Sequence, residues 1–164
     1  MIRPLLAVLA AAALVAPALA EPTAPAPAPA PAGALLGPAL NVSDVDRSLR
    51  FYVDGLGMKL ATRRPGPKRV ESILTFGGPD TSTLLLLSDA AGAHPAIEQG
   101  NGFDKLVMRM ASLDATVARL KAAGFATGEV HEAAGGMVRV LHATDPDGYH
   151  LELVEMRGKP GAAR

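Results

Sequence analysis

Two stretches of equal length, LNVSDVDRSLRFYVDGLG (residues 40–57) and VMRMASLDATVARLKAAG (residues 107–124), decide the fold. Each begins like a short strand, continues with apolar residues at helical spacing and ends at a glycine. Beyond the two glycines the spacing persists at a constant offset of 67, so that Pro79 and Asp80 match Pro146 and Asp147. A repeat of this kind predicts two copies of one structural unit.

Each copy contains the pattern of a strand, a helix and three further strands. The helices are predicted to begin at Ser43 or Asp44 and at Ser112, because these side-chain oxygens can cap a helix N-terminus. Later strands are predicted at residues 73–76, 84–87, 138–143 and 150–155. We therefore predict an α+β fold in which two βαβββ modules pack into one domain.

The N-terminus has the order of a secretory signal peptide: Arg3, an apolar run over residues 5–16, and Ala18-Leu19-Ala20. Pro17 interrupts the apolar run, which makes a permanent transmembrane anchor the weaker alternative. We predict cleavage after Ala20 and a periplasmic or secreted protein without stable membrane insertion. The predicted organisation is a signal peptide at 1–20, an Ala/Pro-rich linker at 21–36, a domain at 37–156 with modules at about 37–90 and 103–156, and a flexible tail at 157–164.

Composition excludes several kinds of protein. Sixteen basic residues balance sixteen acidic ones, and four Phe with two Tyr are too few to stack nucleic-acid bases, so a nucleic-acid partner is not expected. The chain has no cysteine, which excludes disulfides and thiolate chemistry. Any metal would have to be bound by His, Asp or Glu.

Three segments together resemble a known family: NVSDVDRSLRFYVDGLGMKL, LKAAGF and TDPDGYHLELVE. They are similar to the vicinal oxygen chelate superfamily, which includes glyoxalase I, bleomycin-resistance proteins, fosfomycin-resistance enzymes and extradiol dioxygenases. The resemblance covers residues 37–156. It implies paired βαβββ modules whose sheets curl around a shared cleft, often with a divalent metal and frequently as homodimers.

Strand alternation predicts which side chains face that cleft. Leu106, Met108 and Met110 form one face of a strand and should pack on the helix, which leaves the alternate residues on the other face. The same reasoning places Leu151 and Leu153 against the helix. The side chains expected to converge on the cleft are Asn41, Lys105, Arg109, His150 and Glu152.

The resemblance also implies where a metal would be bound. In the metal-dependent glyoxalases of this family the ligands occupy the positions that correspond here to Gly37, Leu85, Lys105 and Glu152. Only Glu152 has a suitable donor, since glycine and leucine have none and lysine is a cation. We therefore predict no metal and no other cofactor. The fallback ligands for a different metal site are His150, Glu152 and His142.

Lys105 and Glu152 at former ligand positions suggest an ion pair across the cleft. One interpretation is that the pair only neutralises buried charge. The other adds Arg109, whose extra positive charge could bind the carboxylate or phosphate of a small molecule. Asn41 would contribute a hydrogen bond, and the apolar wall would come from Leu85, Leu87 and Val107.

Other conspicuous residues have simpler explanations. Asp145 and Asp147 lie in Asp-Pro-Asp-Gly, a typical turn sequence. His94 and His131 are predicted to be exposed in a loop or at a strand edge.

Two functions remain open. The first is an exported binding protein for a small, anionic organic molecule, without the glyoxalase metal site. The alternative is a lyase or isomerase in which Glu152 is the general base, with or without a divalent metal. Glutathione-dependent glyoxalase I activity is disfavoured by the missing ligands and by export, because the thiol cofactor is mainly cytosolic.

Overall fold

The computed structural model describes residues 33, 35–78, 82–92 and 96–157. The predicted signal peptide, most of the predicted linker and His94 lie outside these residues. The described residues from 35 to 157 belong to one compact unit. Within the described part of the chain, no helix combines the length and the apolar character needed to cross a bilayer.

The prediction of two βαβββ modules is confirmed. The first module contains β1 (Ala39–Asn41), α1 (Val45–Leu49) continuing into a π-helical segment (Arg50–Gly55), β2 (Lys59–Pro65), β3 (Arg69–Thr75) and β4 (Thr83–Asp89). The second contains β5 (Leu106–Arg109), α2 (Leu113–Ala122), β6 (Val130–Ala133), a 3₁₀ turn (Ala134–Gly136), β7 (Val138–Thr144) and β8 (His150–Met156). Both modules have the same topology, with strand orders β1-β4-β3-β2 and β5-β8-β7-β6.

The two helices differ in length by one residue, and the π-helical segment accounts for it. Ala39 pairs with Leu85 in the first sheet, and Val107 pairs with Glu152 in the second. The offset between modules is therefore 68 at the first strand but 67 at the last strand. A π-helical turn accommodates one extra residue within a helix. The predicted constant offset of 67 is therefore wrong by one residue for the strands that precede the helices, where the offset is 68.

The core lies between the helices and one face of each sheet, as strand alternation predicts. Leu106, Leu151 and Leu153 are buried, whereas Val107 on the opposite face is 63% exposed. Phe51 in the first helix makes edge-to-face contacts with Tyr52 and Phe125, with ring centroids 5.1 Å apart in each pair. The other large, fully buried side chains are Val42, Leu56, Leu74, Leu84, Leu86, Leu113, Leu120 and Leu141.

The turn between β7 and β8 ties the second module to the first helix. Tyr52 donates its hydroxyl hydrogen to Asp145 Oδ2 at 2.9 Å, and both residues are buried. Asp147 accepts hydrogen bonds from the Ser43 backbone N–H and hydroxyl and from the Arg47 guanidinium. We call these contacts the helix–turn clasp. The predicted turn is confirmed, and its two carboxylates also hold the modules together.

Candidate functional site

The predicted ion pair between Lys105 and Glu152 is present, but it lies within one sheet. Lys105 Nζ is 2.6 Å from Glu152 Oε2. Lys105 immediately precedes β5 and Glu152 lies on the neighbouring β8, so the two residues do not come from opposite walls of a cleft. The hydrogen bond raises the pKa of Lys105 and lowers the pKa of Glu152. The side chains are 37% and 24% exposed, so both ions keep some contact with water.

An open cavity of about 660 Å³ lies beside this pair, and we call it the second-sheet cavity. It is lined by Asp104, Lys105, His142, Ala143, Thr144, Asp145, Pro146, His150, Leu151 and residues 125–128. His142 is the register partner of Glu152, and Thr144 is the register partner of His150. The Thr144 hydroxyl and His150 Nδ1 are 3.4 Å apart. The cavity therefore presents an ammonium, two imidazoles and a hydroxyl on one wall.

Arg109 lies in a different place from Lys105. It lines two cavities of about 460 and 240 Å³, which share Phe76 as well as Arg109, and it does not line the second-sheet cavity. We call the two together the junction groove. Its lining residues are Pro38, Leu56, Gly57, Met58, Phe76, Ser82, Thr83, Leu84, Leu106, Val107, Met108, Arg109, Met110, Ala111, Ser112, Ala115 and Arg119.

Of the five polar side chains expected to converge, Lys105 and His150 line the second-sheet cavity, and Glu152 is bound to Lys105. Asn41 and Leu85 lie on β1 and β4 of the first sheet, and neither lines the second-sheet cavity. Lys105 and Arg109 line separate cavities, so the structure does not bring these two cations together at one site.

The residues present do not fit a divalent metal at the four positions that the resemblance implies. Gly37 has φ +148°, and a Cβ atom there would lie 1.6 Å from the Thr83 carbonyl oxygen, so no ligand side chain can be placed at this position. Leu85 has no donor atom, and Lys105 is bound to the only carboxylate of the set.

The fallback metal site is not assembled either. Within residues 33, 35–78, 82–92 and 96–157, no three His, Asp or Glu side chains form a group that could hold a metal ion, and His142, His150 and Glu152 all belong to this part of the chain. Independence from metal stays a prediction.

The match to known proteins extends over most of the chain. Residues 34–153 match the sequence model of the Glyoxalase/Bleomycin resistance protein/Dioxygenase superfamily. The chain belongs to this superfamily. Its relatives include lactoylglutathione lyase of Salmonella typhimurium, 29% identical over 125 residues that cover 75% of this chain and 93% of that protein. A probable lactoylglutathione lyase of Vibrio parahaemolyticus is 31% identical, covering 75% and 91%.

Solved structures of the superfamily have the same fold. The V278E mutant of Zea mays glyoxalase I superposes with a TM-score of 0.66 at 26% identity, covering 76% of this chain and 45% of the maize chain. This superfamily domain thus spans less than half the length of the maize enzyme. A glyoxalase/bleomycin-resistance/dioxygenase domain from Frankia has a TM-score of 0.60 at 25% identity, covering 74% and 90%.

Two features of this superfamily domain were missed from sequence. The segment 125–128 forms one wall of the second-sheet cavity, although it has no polar pattern that marks a site. The carboxylates of Asp145 and Asp147 bind the first helix, which no local pattern indicates. His131 is exposed on β6, as predicted.

Proposed function

We propose that this superfamily domain is exported and binds a small, polar organic molecule in the second-sheet cavity, without the metal of the metal-dependent glyoxalases. The observation that supports this is the 660 Å³ cavity beside the Lys105–Glu152 pair. Its volume is within the range of about 300–1,000 Å³ that is usual for small-molecule sites.

The chemistry of the cavity wall favours a polar ligand. Glu152 uses one hydrogen of the Lys105 ammonium and balances its charge, and Asp104 lies 4.0 Å from the same nitrogen. The remaining hydrogens of Lys105, with His142, His150 and Thr144, are available to a ligand. A carboxylate or phosphate oxygen on that ligand would take the hydrogens of Lys105 that Glu152 leaves free.

Export is proposed from Arg3, the apolar run over residues 5–16 and the Ala18-Leu19-Ala20 sequence. Cell fractionation followed by N-terminal sequencing should find a periplasmic or secreted protein that begins at Glu21. A full-length cytoplasmic product would contradict export. It would also remove one of the two arguments against glutathione-dependent activity, since the thiol cofactor is mainly cytosolic.

The second candidate is a lyase or isomerase in which Glu152 is the general base. It is favoured by relatives named lactoylglutathione lyase, at 29–31% identity. The ion pair opposes it, since the hydrogen bond from Lys105 lowers the pKa of Glu152 and makes this carboxylate a weaker base.

The experiment is a thermal-shift screen of the purified protein against small sugars, hydroxy acids, phosphate esters and zwitterions, followed by titration calorimetry. Lys105→Met and His142→Ala should each weaken binding of a screening hit about tenfold or more, because each removes a hydrogen-bonding group. Lys121→Met removes an exposed cation on α2 that does not line the cavity, and should leave the affinity unchanged.

Two outcomes would decide against the binding proposal. Equal affinity in Lys105→Met and in the Lys121→Met control would show that the ligand does not bind in this cavity. Turnover of a hit that disappears in Glu152→Gln while binding persists would support the lyase or isomerase instead.

A further inference from the structure

We propose that the junction groove is a second binding site, specific for a small organic acid with an apolar body, whose carboxylate is bound by Arg109. This site shares no residue with the second-sheet cavity. The inference therefore does not depend on the proposed function.

The first observation is that Arg109 has an unused guanidinium. Its side chain is exposed at the end of β5, and across the described ranges no ion pair or hydrogen bond of this side chain is found. The second arginine of the groove differs, because Arg119 donates to the backbone oxygens of Gly55 and Leu56 and to the Thr116 hydroxyl. The donors of Arg109 are thus available to a ligand.

The second observation is the charge of the lining. Both arginines border the groove, and none of its lining residues within the described part of the chain is acidic. The second-sheet cavity differs, since Asp104 and Asp145 are part of its wall. A groove with cations and no carboxylate attracts an anion. A guanidinium binds a carboxylate through two parallel hydrogen bonds.

The third observation is the apolar surface beside Arg109. Val107 is 63% exposed and Phe76 is 36% exposed, and both belong to the 240 Å³ part of the groove with Met58 and Leu84. A cavity of about 150 Å³ is enough to bind benzene. The groove therefore has room for a phenyl ring or a short alkyl chain, with the carboxylate directed at Arg109.

The test compares phenylacetate with phenylacetamide, which has nearly the same shape but no charge. In ¹⁵N-labelled protein, we expect phenylacetate to shift the amide resonances of residues 107–109 and Phe76, and the amide to bind at least tenfold more weakly. Arg109→Gln should weaken phenylacetate binding about tenfold or more, since it removes the charged bidentate donor. Arg109→Lys should give an intermediate loss, because it keeps the charge and loses the bidentate geometry.

The matched control is Lys121→Met, which removes an exposed cation that lines neither the junction groove nor the second-sheet cavity and should not change phenylacetate affinity. Equal affinities for the acid and the amide, or an unchanged affinity in Arg109→Gln, would overturn the proposal. So would resonance shifts confined to residues 142–150, which would place the acid in the second-sheet cavity. If phenylacetate shows no binding at a concentration of about 10 mM, which would detect even a dissociation constant in the millimolar range, the proposal is also overturned. None of these results bears on screening hits that depend on Lys105.

Discussion

Removing one hydroxyl from the helix–turn clasp should destabilise the whole domain. Tyr52→Phe deletes the donor that is 2.9 Å from Asp145 Oδ2 and keeps the ring, so the edge-to-face contact with Phe51 is retained. Asp145 keeps two other hydrogen bonds, from the backbone N–H groups of Asp147 and Tyr149 at 2.9 Å each. Both of these bonds go to Oδ1, so the carboxylate keeps donors on one oxygen while the buried Oδ2 loses the Tyr52 hydroxyl. The cost therefore lies within the range for hydrogen bonds to charged groups.

That cost is about 2 kcal/mol of unfolding free energy. For a domain of this length it corresponds to a melting temperature lower by roughly 6–12 °C. The assay is urea denaturation followed by circular dichroism, together with a thermal melt. Tyr149→Phe is the matched control, because it removes the same hydroxyl from a side chain that is only partly buried and interacts with the exposed Gln99. The control should lose less than about 0.5 kcal/mol.

The pH dependence gives the same prediction a second readout. Burial raises the pKa of Asp145 above its ordinary value of 3.8, while the bond from Tyr52 favours the ionised form. The difference in unfolding free energy between wild type and Tyr52→Phe should be present at neutral pH. It should shrink as pH falls through the raised pKa of Asp145, because the Tyr52 hydroxyl stabilises the ionised carboxylate more than the protonated one. Equal losses in Tyr52→Phe and Tyr149→Phe, or a difference that grows in acid, would refute the reasoning.

Three further predictions concern the former ligand positions. Gly37→Ala should lower the melting temperature by several degrees, since its Cβ would lie 1.6 Å from the Thr83 carbonyl oxygen, whereas Gly100→Ala, with no atom within 4 Å, should not. Chelation should leave the melting temperature unchanged, because a metal that binds only the native state would have stabilised it; a stoichiometric metal that survives dialysis, and whose removal lowers the melting temperature, would contradict this. The stability difference between wild type and Glu152→Gln should be present above pH 4.5 and disappear as pH falls through the lowered pKa of Glu152; stability-versus-pH curves that stay parallel in acid would contradict the ion pair.

Much of the fold was predictable because strands with one buried face have apolar residues at alternate positions of the sequence. The pattern Leu106, Met108 and Met110 places Val107 on the other face, and the structure exposes Val107 while it buries Leu106 and Met110. The edge strands were harder. In β2 nearly every residue is exposed, so its sequence shows no alternation that would mark a strand.

The site was predicted less completely because a shared face does not mean a shared cavity. Lys105 and Arg109 alternate correctly onto one face, but four residues of extended chain separate them by about 13 Å. The structure places them in separate cavities. The ion pair with Glu152 was predictable because the resemblance places both residues at former ligand positions, where opposite charges can pair.

The helix–turn clasp also affects when the domain can fold. Its bonds join residues 93–104 positions apart, so the first helix obtains these partners only after Asp145 and Asp147 have been synthesised. Contacts between distant residues form slowly, because the chain entropy lost in closing such a long loop precedes any stabilisation. For a chain that we propose to be exported, the clasp therefore cannot join the two modules while the segment that carries Asp145 and Asp147 is still being synthesised.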